Sequence, residues 1–310
     1  MSEATVPSSF EMLKRVAHVP PSGGTRTQGL QNSAWLIIPA LLFVLFFFVF
    51  PLGRMFLLSF IDPHLTLRHY AEFVRMPVYF RIMLNTFILA LNVSLICLVL
   101  GYPVAYTINS MSPRTRRLFL IPVMLPYLMS LMVRTFAWMV VLGREGIVNQ
   151  FLGTFDLGPF KLMNNSLGVY VGMIHYLLPL MILPLLNTMR TIDMRLVRAA
   201  EGLGATSFQV FVRVFVPLSL PGVAAGMCLV FIIALGFFIT PALLGGLGNM
   251  TVSMLIENQV GIVLNWGFAS ALAVLLLFMT IVTLVAVTLL VRRVNHFWAI
   301  RGFRLIGGDS

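Results

Sequence analysis

Charge is what this sequence has least of. Only 10% of its 310 residues are charged, ten acidic against 21 basic. Soluble domains carry about 25% charged residues, so an ordinary soluble chain is excluded. Cysteine is almost missing: Cys97 and Cys228 both lie in apolar runs and read as small packing residues, which excludes a disulfide scaffold and a thiolate metal centre. The five histidines (His18, His64, His69, His175 and His296) are scattered, and no metal-ligand spacing occurs. The one glycine-rich loop, "LLGGLGNM" at 243–250, lacks the Lys-Ser/Thr that cradles phosphate and reads as a bend. No acid–base or nucleophile–base pair has recognisable spacing, so neither catalysis nor a cofactor is expected in the chain. His175 reads as a packed, hydrogen-bonded histidine.

What is there is apolar. Hydrophobic residues make up 59% of the chain, and they gather into six runs near 34–60, 80–109, 117–142, 166–187, 218–243 and 268–292. Each has about the 20 residues that cross a hydrocarbon core of about 30 Å. The expected fold class is an all-α polytopic membrane protein with six transmembrane helices. Pro51, Pro103, Pro122, Pro126, Pro179 and Pro184 interrupt or border the runs, as membrane helices tolerate. Residues 1–33 read as a polar tail, 34–292 as the spanning domain and 293–310 as a second tail. The first apolar core starts too late for a signal peptide, so the first span is expected to be retained.

The basic excess orients these spans. Lys14, Arg15 and Arg26 precede the first span; Arg114, Arg116 and Arg117 follow the second. Arg190, Arg195, Arg198 and Arg213 follow the fourth, and Arg292, Arg293, Arg301 and Arg304 the sixth. These residues place both termini and the 188–217 loop in the cytoplasm. The formal charge of +11 therefore signals membrane orientation, and no nucleic-acid partner is expected.

That loop is the most polar stretch between two spans: "RAAEGLGATSFQVFVRVFVPLSLPG", 198–222. Asp193 can cap a first helix with Leu196, Val197, Ala200 and Leu203 on one face. Gly204 falls where a left-handed helix end needs glycine. Thr206 or Ser207 can start a second helix with Phe208, Phe211, Val212 and Phe215 on its apolar face, and Pro217 is expected to end it. From periodicity alone, this is equally a surface helix pair lying on the bilayer.

The spacing resembles the cytoplasmic signature of binding-protein-dependent ABC importer permeases: Glu-Ala-Ala, three residues, Gly, nine residues, then Ile-x-Leu-Pro. Ala199, Ala200, Gly204, Val214, Val216 and Pro217 fall in register. Arg198 stands at the leading Glu position, and Glu201 comes one turn later. Over roughly 80–292, "VRTFAWMVVLGREGIVNQFL" (133–152), "YLLPLMILPL" (176–185), "TPALLGG" (240–246) and "NWGFASAL" (265–272) look like the polyamine (spermidine/putrescine) subfamily.

The resemblance implies a type I ABC importer permease fold in the bacterial inner membrane. Arg198, Ala199, Ala200, Glu201, Gly202, Leu203, Gly204 and Pro217 would belong to the coupling element that docks on the ATP-binding subunits. It further implies two such subunits carrying ATP and Mg, a second permease forming a heterodimer, and a periplasmic solute-binding protein. The solute would be a polyamine or related small nitrogenous molecule. Intramembrane polar and aromatic residues are the pathway candidates: Arg134, Trp138, Tyr127, Trp266 and the outer carboxylate Glu257, with Asn85 and Asn92 behind them. Tyr127, Trp138, Tyr176 and Trp266 are candidates to cradle an alkylammonium. The alternative is a self-sufficient secondary transporter or channel, whose loop would merely rest on the membrane.

Overall fold

The computed structural model describes residues 37–61 and 64–306; the expected tail at 1–33 lies outside them. The chain divides after Met55 into two units. The described part of the first is the body of helix α1 (37–58), apolar on every side and exposed along its length. Its backbone widens into a π turn at Leu45–Val49, where the Phe50 N–H donates to the Leu45 carbonyl. Pro51 follows two residues later. Proline has no N–H, and its ring collides with the carbonyl four residues back; a π turn absorbs both defects without ending the helix.

From Phe56 onward the described residues are helical apart from loops and an isolated bridge between Ile61 and Leu65. The helices are α2 (Arg68–Arg75), α3 (Pro77–Ser110), α4 (Pro113–Leu128), α5 (Leu131–Leu142) and α6 (Ile147–Gly153). They continue with α7 (Ser166–Thr191), α8 (Met194–Gly202), α9 (Ser207–Leu235), α10 (Ile239–Leu244), α11 (Val252–Gly261) and α12 (Trp266–Ile306). Among the described residues, five helices are long and apolar enough to cross a membrane. The stretch Leu131–Gly153, set at 94° to α4, makes a sixth if the bent pair counts as one span.

Four sequence expectations are corrected. The third span, expected as one run over 117–142, is broken, because two prolines in α4 weaken its last turns and Met129 leaves the helical region. The fifth span begins at Ser207 rather than 218 and ends at Leu235, with α10 separate beyond Gly236. Pro217 does not end the second helix of the polar loop. A π turn at Phe211–Phe215 lies just ahead of it, with the Val216 N–H reaching the Phe211 carbonyl, the same accommodation as at Pro51. The last helix also runs through the expected tail to Ile306.

The core is the three-helix junction of α3, α7 and α9. Val93, Cys97, Val169, Met173, Leu177, Met181, Leu185 and Val230 are wholly buried there. Between lipid-exposed helices there is no hydrophobic driving force, so close packing must hold them together. Gly222 and Gly226 supply it, four residues apart on α9. A Cβ on Gly222 would sit 2.7 Å from the Thr188 side chain, and one on Gly226 2.7 Å from Met181 Sδ. A second cluster (Ile82, Met83, Val252, Leu255, Phe268 and Leu272) ties α3 to α11 and α12.

Candidate functional site

The polar loop folds as two capped helices meeting at a tight turn. Asp193 Oδ1 accepts from the Arg195 N–H at 2.9 Å and starts α8. At its other end the Gly204 N–H donates to Glu201 O at 2.9 Å and the Ala205 N–H to Ala200 O at 3.1 Å. This pair of bonds is a Schellman closure, which places Gly204 in the left-handed region; its φ is +87°. Thr206 then opens α9 with a reciprocal capping box to Gln209. The turn stands clear of the protein: a Cβ on Gly202 or Gly204 would meet nothing within 4 Å, and Leu203 is 89% exposed. The expected apolar face of α8 is thus divided. Val197 is half-buried beside a small cavity, whereas Leu196 and Leu203 are exposed.

The start of α9 is locked onto α3 by aromatic edges. Tyr106 meets the rings of Phe211 at 5.3 Å and Phe215 at 5.0 Å, both nearly perpendicular. Tyr102 shares a 2.9 Å hydrogen bond with Ser219. Arg116, read from sequence only as an orienting charge, caps α3: Nε donates to Ile108 O, and Nη2 to Asn109 O and Met111 O, at 2.9–3.2 Å. A basic residue just beyond a helix end is the signal that identifies such a clamp.

A second constellation sits at the broken span. Arg134 is only 3% exposed. Its Nη2 donates to Met129 O at 3.1 Å, across the α4–α5 break, and its Cζ lies 4.5 Å above the Tyr176 ring. Nε and Nη1 have no hydrogen-bond partner. Tyr127 stacks on Tyr176 at 5.5 Å, and Phe237 packs on Tyr176 at 5.4 Å. Trp138 Nε1 donates to His175 Nδ1 at 3.2 Å, so His175 is the hydrogen-bonded packing residue its surroundings predict.

Three of the pathway candidates (Tyr127, Arg134 and Trp138) are therefore gathered around α7. Glu257 is exposed on α11 and Trp266 is half-exposed at the start of α12; no bond or ring contact joins either to the cluster. Phe237 was missed, since nothing in its sequence context separates it from other apolar residues. The ring of Tyr176 already faces a guanidinium, which weakens it as an alkylammonium cradle.

Residues 97–296 match the family model "Binding-protein-dependent transport system inner membrane component". A spermidine/putrescine transport system permease protein PotB of Haemophilus influenzae is 36% identical over 214 residues, covering 68% of this chain and 74% of that protein. The PotB of Escherichia coli K12 is 33% identical over 221 residues, covering 70% and 80%. Among solved structures, a chain of a bacterial transporter that imports the acidic polysaccharide alginate superposes with TM-score 0.62 at 20% identity, over 88% of this chain and 97% of its own. A chain of the alginate transporter bound to a pentasaccharide-loaded periplasmic protein reaches 0.68 at 19% identity, over 86% and 97%. The fold is that of a type I ABC importer permease. Since the family model covers most of the chain, and relatives above 30% identity cover two thirds of it, the chain belongs to the binding-protein-dependent transport system inner membrane components.

Proposed function

We propose that this chain is one membrane-spanning half of an ATP-driven importer, carrying a polyamine or related small nitrogenous solute delivered by a periplasmic binding protein. The observation that carries the reading is the exposed turn at 200–204. It stands in register with the family signature, is closed by Gly204 in the left-handed region, and has open space around it. Such a turn lets another protein approach closely at two glycines without moving any side chain of this chain.

ATP and Mg belong on two separate ATP-binding subunits, because nothing in this sequence can cradle phosphate. A second, different permease completes the pathway, and both termini and the docking turn face the cytoplasm. Membership of a binding-protein-dependent family speaks against a self-sufficient carrier. The relatives named for spermidine and putrescine support the solute class.

The test is uptake of labelled spermidine and putrescine into vesicles holding this permease, its partner permease, the ATP-binding subunits and the binding protein. Uptake should require both ATP and the binding protein, and uptake without ATP would overturn the reading. Cysteines placed at 205 and 156 should react only from the cytoplasmic and outer sides respectively, and reversed labelling would overturn the orientation.

A further inference from the structure

Between the end of α5 and the start of α7, residues 142–144 and 159–164 line a pocket of about 460 Å³, within the range of roughly 300–1,000 Å³ that holds a small-molecule ligand. Its walls are two separate arms of the chain, and one buried side chain ties them together. Asn149, 5% exposed, donates from Nδ2 to Gly143 O and Phe160 O, both at 3.0 Å, and its Oδ1 accepts from the Phe160 N–H at 2.9 Å. The Lys161 carbonyl accepts from the side chain of Asn165, which also caps α7 at the Gly168 N–H. The pocket is therefore preformed and fastened to the first turn of a 26-residue apolar helix. A helix of that length enters the hydrocarbon within its first turns, so the pocket lies at a membrane boundary.

Its charge is of one sign. Arg144 and Lys161 are the charged residues of the lining. Neither makes an ion pair among the described residues, where the one salt bridge joins Arg195 to Asp193. Glu145 and Asp156, the carboxylates of the same connection, are exposed and lie outside the lining. Beside the pocket the connection also exposes Ile147, Phe151, Phe155 and Phe160, each by half or more, and the rings of Phe151 and Phe155 meet edge to face at 5.4 Å. At a membrane boundary such a fringe lies against acyl chains. Two unpaired cations beside exposed hydrocarbon suit a molecule that is anionic at one end and apolar at the other. The positive charge repels a metal ion, and a free inorganic anion would leave the aromatic fringe uncovered.

We propose that this pocket holds the head group of an anionic phospholipid. The phosphate takes charge-assisted hydrogen bonds from the Arg144 guanidinium and the Lys161 ammonium, and the acyl chains run along Ile147, Phe151 and Phe155. A basic pocket at the end of a spanning helix, rimmed by aromatic side chains, is the general chemistry by which membrane proteins select anionic lipids. The site requires that the chain spans a membrane; it does not depend on which solute is carried or on how transport is energised.

Native mass spectrometry of the purified intact complex, titrated in detergent with phosphatidylglycerol or phosphatidylcholine, tests the site. The unaltered complex should retain phosphatidylglycerol in preference, and the preference should shrink as salt rises. Arg144→Gln and Lys161→Gln, both at exposed positions, should each weaken phosphatidylglycerol retention about fivefold and together about twentyfold, with phosphatidylcholine retention unchanged. Arg144→Lys should keep most of the binding, since it keeps the charge. Equal retention of the two lipids by the unaltered complex, or undiminished phosphatidylglycerol retention by the double variant, overturns the site. Displacement of the lipid by inorganic phosphate at matched ionic strength would make it a free-anion site. Weaker capture of the binding protein by the double variant, with lipid retention unchanged, would make it a protein contact; either result overturns the lipid. Retention is read without ATP or solute, so its outcome is separate from that of the transport reading.

Discussion

The turn at 200–204, where we propose docking, and the Arg134 cluster are built in opposite ways. The turn is made of backbone. Its bonds join residues three to five apart, its side chains are exposed, and its shape follows from one glycine with φ +87°. The cluster is made of side chains from α4, α5, α7 and the 236–238 connection, up to about a hundred residues apart in sequence. At its centre lies a buried guanidinium with two donors unmet. A local motif can be disturbed without harming the fold, whereas a buried network cannot. The contrast therefore predicts which substitutions separate function from stability.

The largest effect is expected at the turn. Gly204→Glu places a charged side chain where the proposed partner approaches and forces a non-glycine residue into the left-handed region, at a cost of about 1 kcal/mol. ATP hydrolysis stimulated by the binding protein should fall about twentyfold or more, with complex yield near normal, because close approach at an interface core tolerates no buried charge. Wild-type stimulation would break the comparison at its functional end.

Arg134→Ala should do the reverse. It leaves the Met129 carbonyl without its donor and opens a void above Tyr176, together destabilising by about 3 kcal/mol. Yield and thermal midpoint of the solubilised complex should drop, and uptake should fall in proportion to yield. Arg134→Lys should recover only part of this, since an ammonium lacks the flat face that lies on the ring. A normal midpoint with lost uptake would move Arg134 from scaffold to pathway.

A smaller effect tests the exposed charge on α11. Glu257 is exposed, so Glu257→Gln should reduce spermidine uptake about threefold at low salt, an effect that fades near physiological ionic strength, where the Debye length is about 8 Å. Salt-independent loss would mean direct contact instead of steering. The smallest change is expected from Trp138→Phe, which removes the bond to His175 and leaves the packing. It should cost about 1 kcal/mol in stability and less than twofold in uptake.

The two regions also differ in how much of them could be read in advance. The turn was legible down to its cap residues (Asp193, Gly204 and Thr206), because capping depends on neighbours within four positions. The cluster was legible only in part. Tyr127, Arg134 and Trp138 stand out as polar or aromatic residues in apolar runs, and their surroundings require that they be satisfied. That Tyr176 would receive the guanidinium, and His175 the indole N–H, depends on where α7 lies against the broken span. Glu257 and Trp266 were grouped with the cluster by chemistry alone, and no contact joins them to it.

By itself the sequence determined the membrane class, the number of apolar runs, the orienting charges and the docking signature. All of these are properties of composition or of spacing along one helix. The tertiary structure alone decided the 94° break between α4 and α5, the passage of α9 through Pro217, and the close approach of α7 to Gly222 and Gly226. Each of these depends on what a second helix offers across the gap. At Pro217 the helix continues through its π turn with Phe211 and Phe215 packed on Tyr106 before the proline and Gly222 and Gly226 packed on α7 after it.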